Sequence, residues 1–524
     1  VSAGKTTLAG RLVERFGAVP FKTSLLLEKR AKGAVPLERT AMQEFGERLD
    51  RRTGGAWVAH DLVPKINMLD ENAVVVIDSV RIAGQIDALR RGLPRQIAHV
   101  HLRASREVLE KRYRHRRRSR FTEKATYQEV LDNPTEKQVP SLVEDADIVI
   151  DTDRNTIKDV EVRAASSLGL HTDDPGALVD VIVGGQYGSE GKGNIAYAIG
   201  RDYDLLCRVG GANAGHKVPL DEPFTHRLLP SATLATEAPI LIGPGAVLNL
   251  DVLFQEISES GVEYGRLHID PQAMITSAED IELEGGIVKA IGSTGQGVGQ
   301  ATARRITGRG DDIKLARDVP ALRPFIKDAH EVLADAFARG DRILLEGTQG
   351  TGLSLYHGAY PHVTSRDTTA SGCLAEMGIA PTRVRRVIMV CRTYPIRAQS
   401  PKAKGKTSGP MSQVTSWTEI ARRSGISLTE FRRVEKGSVS RKQRRVGEFD
   451  WEQLRRAAQL NGATDIALSF VDYLDVRNRK ARRFDQLQPE TIGFIEEVER
   501  VASAPVSLIS TRFHVRSVID RRAW

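Results

Sequence analysis

A mostly apolar run from Leu178 to Val183 breaks into Gly184-Gly185-Gln186-Tyr187-Gly188-Ser189-Glu190-Gly191-Lys192-Gly193-Asn194. Crowded glycines after a buried strand let backbone amides close around phosphate, and a lysine among them adds a mobile positive charge. Gly188, Gly191, Lys192 and Gly193 are the candidate phosphate ligands. A strand, a phosphate loop and a following helix point to an α/β architecture with a central, mostly parallel sheet. A second apolar pair, Leu205-Leu206, precedes Arg208-Val209-Gly210-Gly211-Ala212-Asn213-Ala214-Gly215-His216. This loop is expected to face the first, and it supplies a histidine, the usual residue for proton exchange near neutrality.

At 524 residues and 57.6 kDa the chain exceeds one compact core, so at least two domains are expected. We place an α/β domain at residues 1–165, a linker over 166–177, rich in turn-forming residues, and a larger α/β domain at 178–524. The first opens with Gly4-Lys5-Thr6 ahead of a helical apolar pattern, the second half of a phosphate-binding loop whose first glycine and strand are expected before Val1. Ala73 to Ile77 reads as a strand ending in Asp78, an acid placed to order magnesium-bound water. Arg112 to Arg120 is strongly basic. This segment resembles small P-loop nucleotide kinases, which implies that Arg112 and Arg116 belong to a lid over the transferring phosphoryl group. A solvated basic face is the plain alternative.

The net charge of +9 attracts nucleotides and dicarboxylates as readily as nucleic acid, so nucleic acid is not required as a partner. Three scattered cysteines suggest neither a disulfide framework nor a metal knuckle. No apolar run is long enough to span a bilayer and no signal-peptide pattern opens the chain, so a cytoplasmic protein without a membrane partner is expected.

The two loops, followed in order by His226 to Ser231, Gly243-Pro244-Gly245, Ile291 to Gly299, Glu346 to Thr351 and Tyr360 to Ser365, resemble the adenylosuccinate synthetase family. The resemblance implies a C–N ligase that phosphorylates O6 of a purine monophosphate from a nucleoside triphosphate and then displaces phosphate at C6 with the amine of L-aspartate. It implies His216 as the catalytic acid, with Ser189, Lys192 and Gln349 in the reacting centre. Asn213, Thr294, Gln349 and Thr364 would hold the acceptor, joined by Arg304 or Arg305 from across a homodimer interface. Magnesium would sit near Ser189 and the Gly215 carbonyl. Ser438, Ser440, Lys442, Arg444 and Arg445 occupy the place of the aspartate loop, and Phe470 and Asp472 the place where the donor base is read.

Three departures bear on substrate. Lys442 stands where arginine is usual. Phe470 replaces a lysine, which puts guanine preference in doubt and makes ATP or dATP rivals to GTP. Ser189 replaces the aspartate that takes the proton from N1 of the acceptor ring, and serine is a poor base without an activating partner. Its loop resembles that of viral-type enzymes making 2-aminoadenylosuccinate, so dGMP or GMP is the expected acceptor. The alternatives are an ordinary IMP-using synthetase and a catalytically weak nucleotide sensor with a kinase-like appendage.

Overall fold

The computed structural model describes residues 2–31, 33, 35–36, 39–94, 96–115, 126–170, 176–310, 313–402, 404–436 and 443–522. They form two units, Val1–Asp173 and Asp174–Trp524.

In the N-terminal unit, helix α1 (Lys5–Phe16) starts at Gly4, whose φ of 95° suits glycine alone without strain. Leu8, Ala9 and Leu12 recur at helical spacing and are its buried face. Strands β1 (Val19–Lys22) and β2 (Val75–Asp78) pair in parallel, as do β3 (Val100–Arg103) and β4 (Ile148–Asp151). Helices α2 (Thr23–Ala31), α3 (Arg39–Thr53) and α4 (Trp57–Ile66) separate β1 from β2. They are followed by α5 (Ala83–Gly92), α6 (Arg106–Arg114) and α7 (Ile157–Ser167). Among the described residues the strands form two separate parallel pairs, with no ladder joining one pair to the other. Pro20 lacks a ladder donor, which fits β1 to an edge, and the pairs share an apolar cluster of Leu8, Leu102, Ile150 and Val76 in place of a common ladder.

The C-terminal unit is built on nine strands: β5 (Val179–Gly184), β6 (Leu205–Arg208), β9 (Ile240–Ile242), β10 (Leu267–Ile269), β11 (Ile343–Glu346), β12 (Val384–Arg392), β13 (Asp465–Ser469), β14 (Val506–Ser510) and β15 (Val518–Asp520). A separate hairpin, β7 (His216–Val218) and β8 (Phe224–His226), lies outside this sheet. The order across the sheet is β10-β9-β6-β11-β5-β12-β13-β14-β15, parallel throughout except for the antiparallel edge strand β15. The mostly parallel central sheet read from the sequence is thus present.

Every residue of β5 is buried, as expected of a parallel strand covered on both faces. Val179, Val181 and Val183 enter one hydrophobic cluster and Ile182 the other, following the two-residue period of a strand. Burying each such side chain contributes about 1.5–3 kcal/mol. Because β5, β6, β11, β12 and β13 run parallel, their C-terminal ends lie along one edge, and chain order reverses direction around β5. Open α/β sheets hold ligands at such a switch point. Among the described residues no helix is long and apolar enough to cross a membrane.

Candidate active site

The loop after β5 is folded by its own acid. Glu190 is fully buried and accepts hydrogen bonds from the backbone N–H groups of Gln186 (3.1 Å) and Gly188 (2.7 Å). Its other oxygen takes the Lys192 ammonium at 2.7 Å. Gly188 and Gly191 adopt φ of 90° and 95°, and a Cβ on Gly191 would press within 3.2 Å of the Phe470 ring. The Gly191 turn starts the helix Lys192–Ile199, which carries Gly193 in its first turn. Lys192 is itself buried, also donates to the carbonyls of Gly188 and Gln349, and lies off the cavity wall. In this arrangement it closes the phosphate loop.

Across the sheet edge, the β6 and β11 ends bring a charged cluster together. Arg208 closes β6 and Glu346 closes β11, and the two residues are paired in register. Arg208 Nη1 donates to Glu346 Oε1 at 2.8 Å, and the Ser231 hydroxyl and N–H donate to its two oxygens at 2.5 and 2.6 Å. His216 Nδ1 completes the set with a short contact to Glu346 Oε1. Nδ1 also stands 2.8 Å from Arg208 Nη1; because an ionised Glu346 can only accept, we assign the histidine proton to Nδ1, which leaves Nε2 buried, unpartnered and carrying a lone pair. Burial, reinforced by the Arg208 charge and only partly offset by Glu346, lowers the His216 pKa to about 3. Burial alone would raise the Glu346 carboxyl, but Arg208 and His216 hold it well below the usual carboxylate range.

These groups surround a cavity of about 210 Å³ lined by Tyr187, Gly188, Ser189, Asn213, Gly215, His216, Thr294, Gln349, His362, Thr364, Arg397 and Arg444, among others. Most of the predicted acceptor ligands, Asn213, Thr294, Gln349 and Thr364, therefore line one cavity. Gln349 adopts φ of 57°, an uncommon conformation for a residue with a side chain, and its amide donates to Asn213 Oδ1 at 3.0 Å. The loops that follow β6 and β11 are thereby joined. Gly210 admits this approach: a Cβ there would stand 2.3 Å from Thr348 Oγ1. Ser189 is among the residues lining the cavity, and its carbonyl accepts from Arg392 at 3.2 Å.

Other predicted residues take different places. Arg304 is held bidentate by Asp280 at 2.7 and 3.1 Å, and Arg305 donates to the carbonyls of Pro244 and Gln272, so neither lines this cavity in one chain. Arg444 lines the cavity and stands 3.7 Å from buried Glu435. Arg445 is not on the lining itself but donates to Ser408 Oγ, whose residue is, and to the Gly409 carbonyl, at 3.0 and 2.8 Å. Ser438, Ser440, Lys442 and Arg116 lie outside the described residues.

Phe470 adopts φ of 59° and lies against the Arg392 guanidinium at 4.4 Å. Asp472 is buried with Oδ2 on Arg479 at 2.9 Å and Oδ1 unpartnered; burial, partly offset by Arg479, pushes its carboxyl up to about 6. In the N-terminal unit, Thr6 Oγ1 donates to Asp78 at 2.9 Å beside the Gly4 turn, and Lys5 opens α1. Arg112 donates to the hydroxyl and carbonyl of Thr152, at 2.9 and 2.8 Å. It tethers α6 to the end of β4 and is not a free lid arginine.

The sequence reading missed Arg397, which spans the cavity wall: it packs 4.4 Å from the Tyr187 ring and donates to the His362 carbonyl at 3.0 Å. Its one signal was its place just beyond the apolar strand β12, at the sheet edge where ligands bind.

The adenylosuccinate synthetase family model matches residues 181–319 and 313–479. This chain belongs to the adenylosuccinate synthetase family. The adenylosuccinate synthetase of Pyrococcus horikoshii is 38% identical over 352 residues, covering 65% of this chain and 98% of that protein. That of Archaeoglobus fulgidus is 37% identical over 349 residues, with 65% and 98% covered. Among solved structures, cyanophage S-2L succinoaminodeoxyadenylate synthetase, bound to dGMP and dATP as energy donor, matches with a TM-score of 0.56 and 26% identity over 66% of this chain and 96% of that one. The fully ligated adenylosuccinate synthetase of Plasmodium falciparum, at 20% identity and a TM-score of 0.58, covers 66% and 100% and shares the fold. The chain is thus an adenylosuccinate synthetase-type ligase of purine nucleotides. The curated relatives bear the family's plain name, so the narrower likeness to 2-amino enzymes rests on the Ser189 loop and not on them.

Proposed function

We propose that the C-terminal unit joins L-aspartate to C6 of a 6-oxopurine nucleoside monophosphate, with a nucleoside triphosphate phosphorylating O6 to make it a leaving group. The observation that carries this reading is His216 Nε2, a buried lone pair on the wall of a cavity flanked by two glycine loops. Glu346 fixes the ring, and an anionic phosphoryl group beside Nε2 would raise the ring's proton affinity so that Nε2 takes up a proton from solvent, and the resulting imidazolium then donates to O6. Arg397 and Arg444 supply positive charge for the acceptor phosphate or the aspartate carboxylates. The relatives' names favour IMP as the acceptor over the guanylate expected from the sequence.

A second reading, dGMP or GMP, is favoured by one specific observation: among the described residues no aspartate or glutamate lines the cavity, and Ser189 is on its lining instead. A site without a carboxylate offers room beside the base for a 2-amino group. The cyanophage enzyme, whose structure holds dGMP, supports the same reading. Mass spectrometry of reactions containing aspartate and IMP, dIMP, GMP or dGMP decides between them. Absence of an aspartate adduct with all four acceptors would overturn both.

The cavity lining has Ser189 and Gly215 and, among the described residues, no carboxylate, which fits a magnesium ion carried on triphosphate oxygens better than one held by protein carboxylates. When bound it neutralises phosphate charge; Ser189 and Gly215 would hold it. Phe470 as a stacking face beside Arg392 supports ATP or dATP as donor alongside GTP. Exposed Ile281, Leu283, Ile287 and Ile306 in the segment carrying Arg304 and Arg305 support a homodimer, and the composition supports a cytoplasmic protein. We further propose that the N-terminal unit is a phosphotransferase, on the strength of the Gly4 turn and the Thr6–Asp78 pair. Transfer of labelled γ-phosphate to nucleoside monophosphates, abolished by Lys5→Ala, tests it.

A further inference from the structure

The N-terminal unit contains a second cavity, of about 680 Å³, whose walls come from three successive helices. Lys29 and Arg30 on α2, Arg48 and Arg52 on α3, and Lys65 on α4 converge on it, with Asp61 the one acid on its lining among the described residues. The spacing is helical: 29 and 30 follow Leu26 by three and four residues, and 48 and 52 follow Phe45 by three and seven. Each helix thus presents one face to the cavity.

Asp61 is already neutralised, since Arg30 grips it with two hydrogen bonds of 2.8 and 2.7 Å. Lys29, Arg48, Arg52 and Lys65 have no carboxylate hydrogen bond or ion pair among the described residues. Four like charges around one opening repel one another, and the opening stays electropositive unless an anion enters. Arginine forks match phosphate oxygens in two-point contacts. Beside the cations the wall is apolar: Leu26 and Leu49, with the Phe45 ring under the Arg48 guanidinium at 6.0 Å. A lining that combines cations with an aromatic face suits a ligand that is both phosphorylated and planar.

The cavity is near the phosphate loop. Helix α2 begins at Thr23, whose hydroxyl donates to the Ser79 carbonyl at 2.9 Å, next to the Asp78 carboxylate that holds Thr6. At about 1.5 Å of rise per residue, Leu26 to Arg30 lie roughly 5–10 Å along the helix from that anchor.

We propose that this cavity binds a nucleoside monophosphate, its phosphate held by Arg48, Arg52 and the two lysines and its base against Phe45. The inference rests on the phosphotransferase reading only for the ligand's role; binding is tested apart from it. The full chain would be irradiated with photoactivatable azido analogues of AMP and GMP, and the labelled peptides mapped by mass spectrometry, so that this cavity, the Gly4 loop and the ligase cavity are read separately. Labelling is expected within residues 26–65, competed by unmodified AMP or GMP at concentrations at least about tenfold below those needed of inorganic phosphate. The double variant Arg48→Glu/Arg52→Glu should lower that labelling by about tenfold or more, leaving label in the ligase cavity and succinylated product unchanged. If the double variant loses its thermal transition, Arg52→Gln decides, with an expected loss of about threefold. No label within residues 26–65, equal competition by inorganic phosphate, or indifference to both variants would overturn the proposal. Persistent label without phosphoryl transfer to any monophosphate would remove the phosphotransferase reading and leave the site.

Discussion

Replacing Glu346 by glutamine should silence the ligase without emptying its substrate sites. The carboxylate takes four donors: Arg208 Nη1, His216 Nδ1 and the Ser231 hydroxyl on Oε1, and the Ser231 N–H on Oε2. An amide has one oxygen. If it stays on the Ser231 N–H, its NH₂ group confronts Arg208 and the histidine proton; if it turns the other way, the Ser231 N–H is orphaned. Either way the buried Arg208 charge loses its counterion. Breaking a buried pair from one side costs about 3–5 kcal/mol. The imidazole, no longer fixed with Nε2 toward the cavity, should lose about a hundredfold to ten-thousandfold in kcat, the range for a misoriented acid–base histidine. Steady-state release of phosphate, matched to succinylated product, gives kcat and KM, and guanidinium unfolding gives stability. The double variant Glu346→Gln/His216→Ala should be no slower than His216→Ala alone, since the acid acts through the histidine. Turnover within about threefold of the parent, with an unmoved unfolding midpoint, would refute the reasoning.

His216→Ala itself should lower kcat by about a hundredfold or more while far-ultraviolet circular dichroism stays unchanged; retained turnover removes its role. Ser189→Asp restores a carboxylate to the cavity and should shift the ratio of kcat/KM for IMP over dGMP upward by about tenfold or more; an unchanged ratio means Ser189 does not select the acceptor. Gly210→Ala forces a Cβ to 2.3 Å from Thr348 Oγ1 at a φ of 92°, and should depress both stability and turnover, measurable as a lowered unfolding midpoint. Stability should also depend on acidity through His216. Its folded pKa of about 3 lies below the unfolded value of 6.5, so below pH 6.5 the unfolded chain binds a proton that the folded chain refuses. The contribution is complete above pH 6.5 and is lost as pH falls toward 3, by up to about 1.4 kcal/mol per pH unit. A His216→Gln variant should show a flatter dependence between pH 6.5 and 4; equal slopes would place the titration elsewhere.

Much of the ligase unit is legible in local pattern. The Leu178 to Val183 run reads as a buried strand because apolar residues fill both of its faces, and the glycines after it read as a phosphate loop because their backbone freedom is local. Pairings made across the sheet are not local. Nothing near His216 announces Glu346, which lies 130 positions on, and Arg208 reads as one more charge at a strand end until β6 and β11 are set side by side. Lys192 is the converse: the motif suggests a phosphate ligand, yet the acid two residues earlier draws its ammonium inward. Arg397, not Arg445, lines the cavity, and this too is not local, since which arginine reaches a cavity depends on a three-stranded sheet assembled from distant segments.

Arg208 and Glu346 are the last residues of neighbouring strands and are matched one to one. The segments between those strands can grow or shrink without disturbing that match, because they leave and re-enter at the strand ends. A single residue added or lost within 343–346 cannot be absorbed in the same way. It would turn Glu346 to the opposite face and place a carboxylate in the apolar layer beneath. The stretch that orients the acid is therefore intolerant of length change even where it tolerates change of side chain. Homologous chains are expected to differ in length over 209–342 and to agree in length across these four positions.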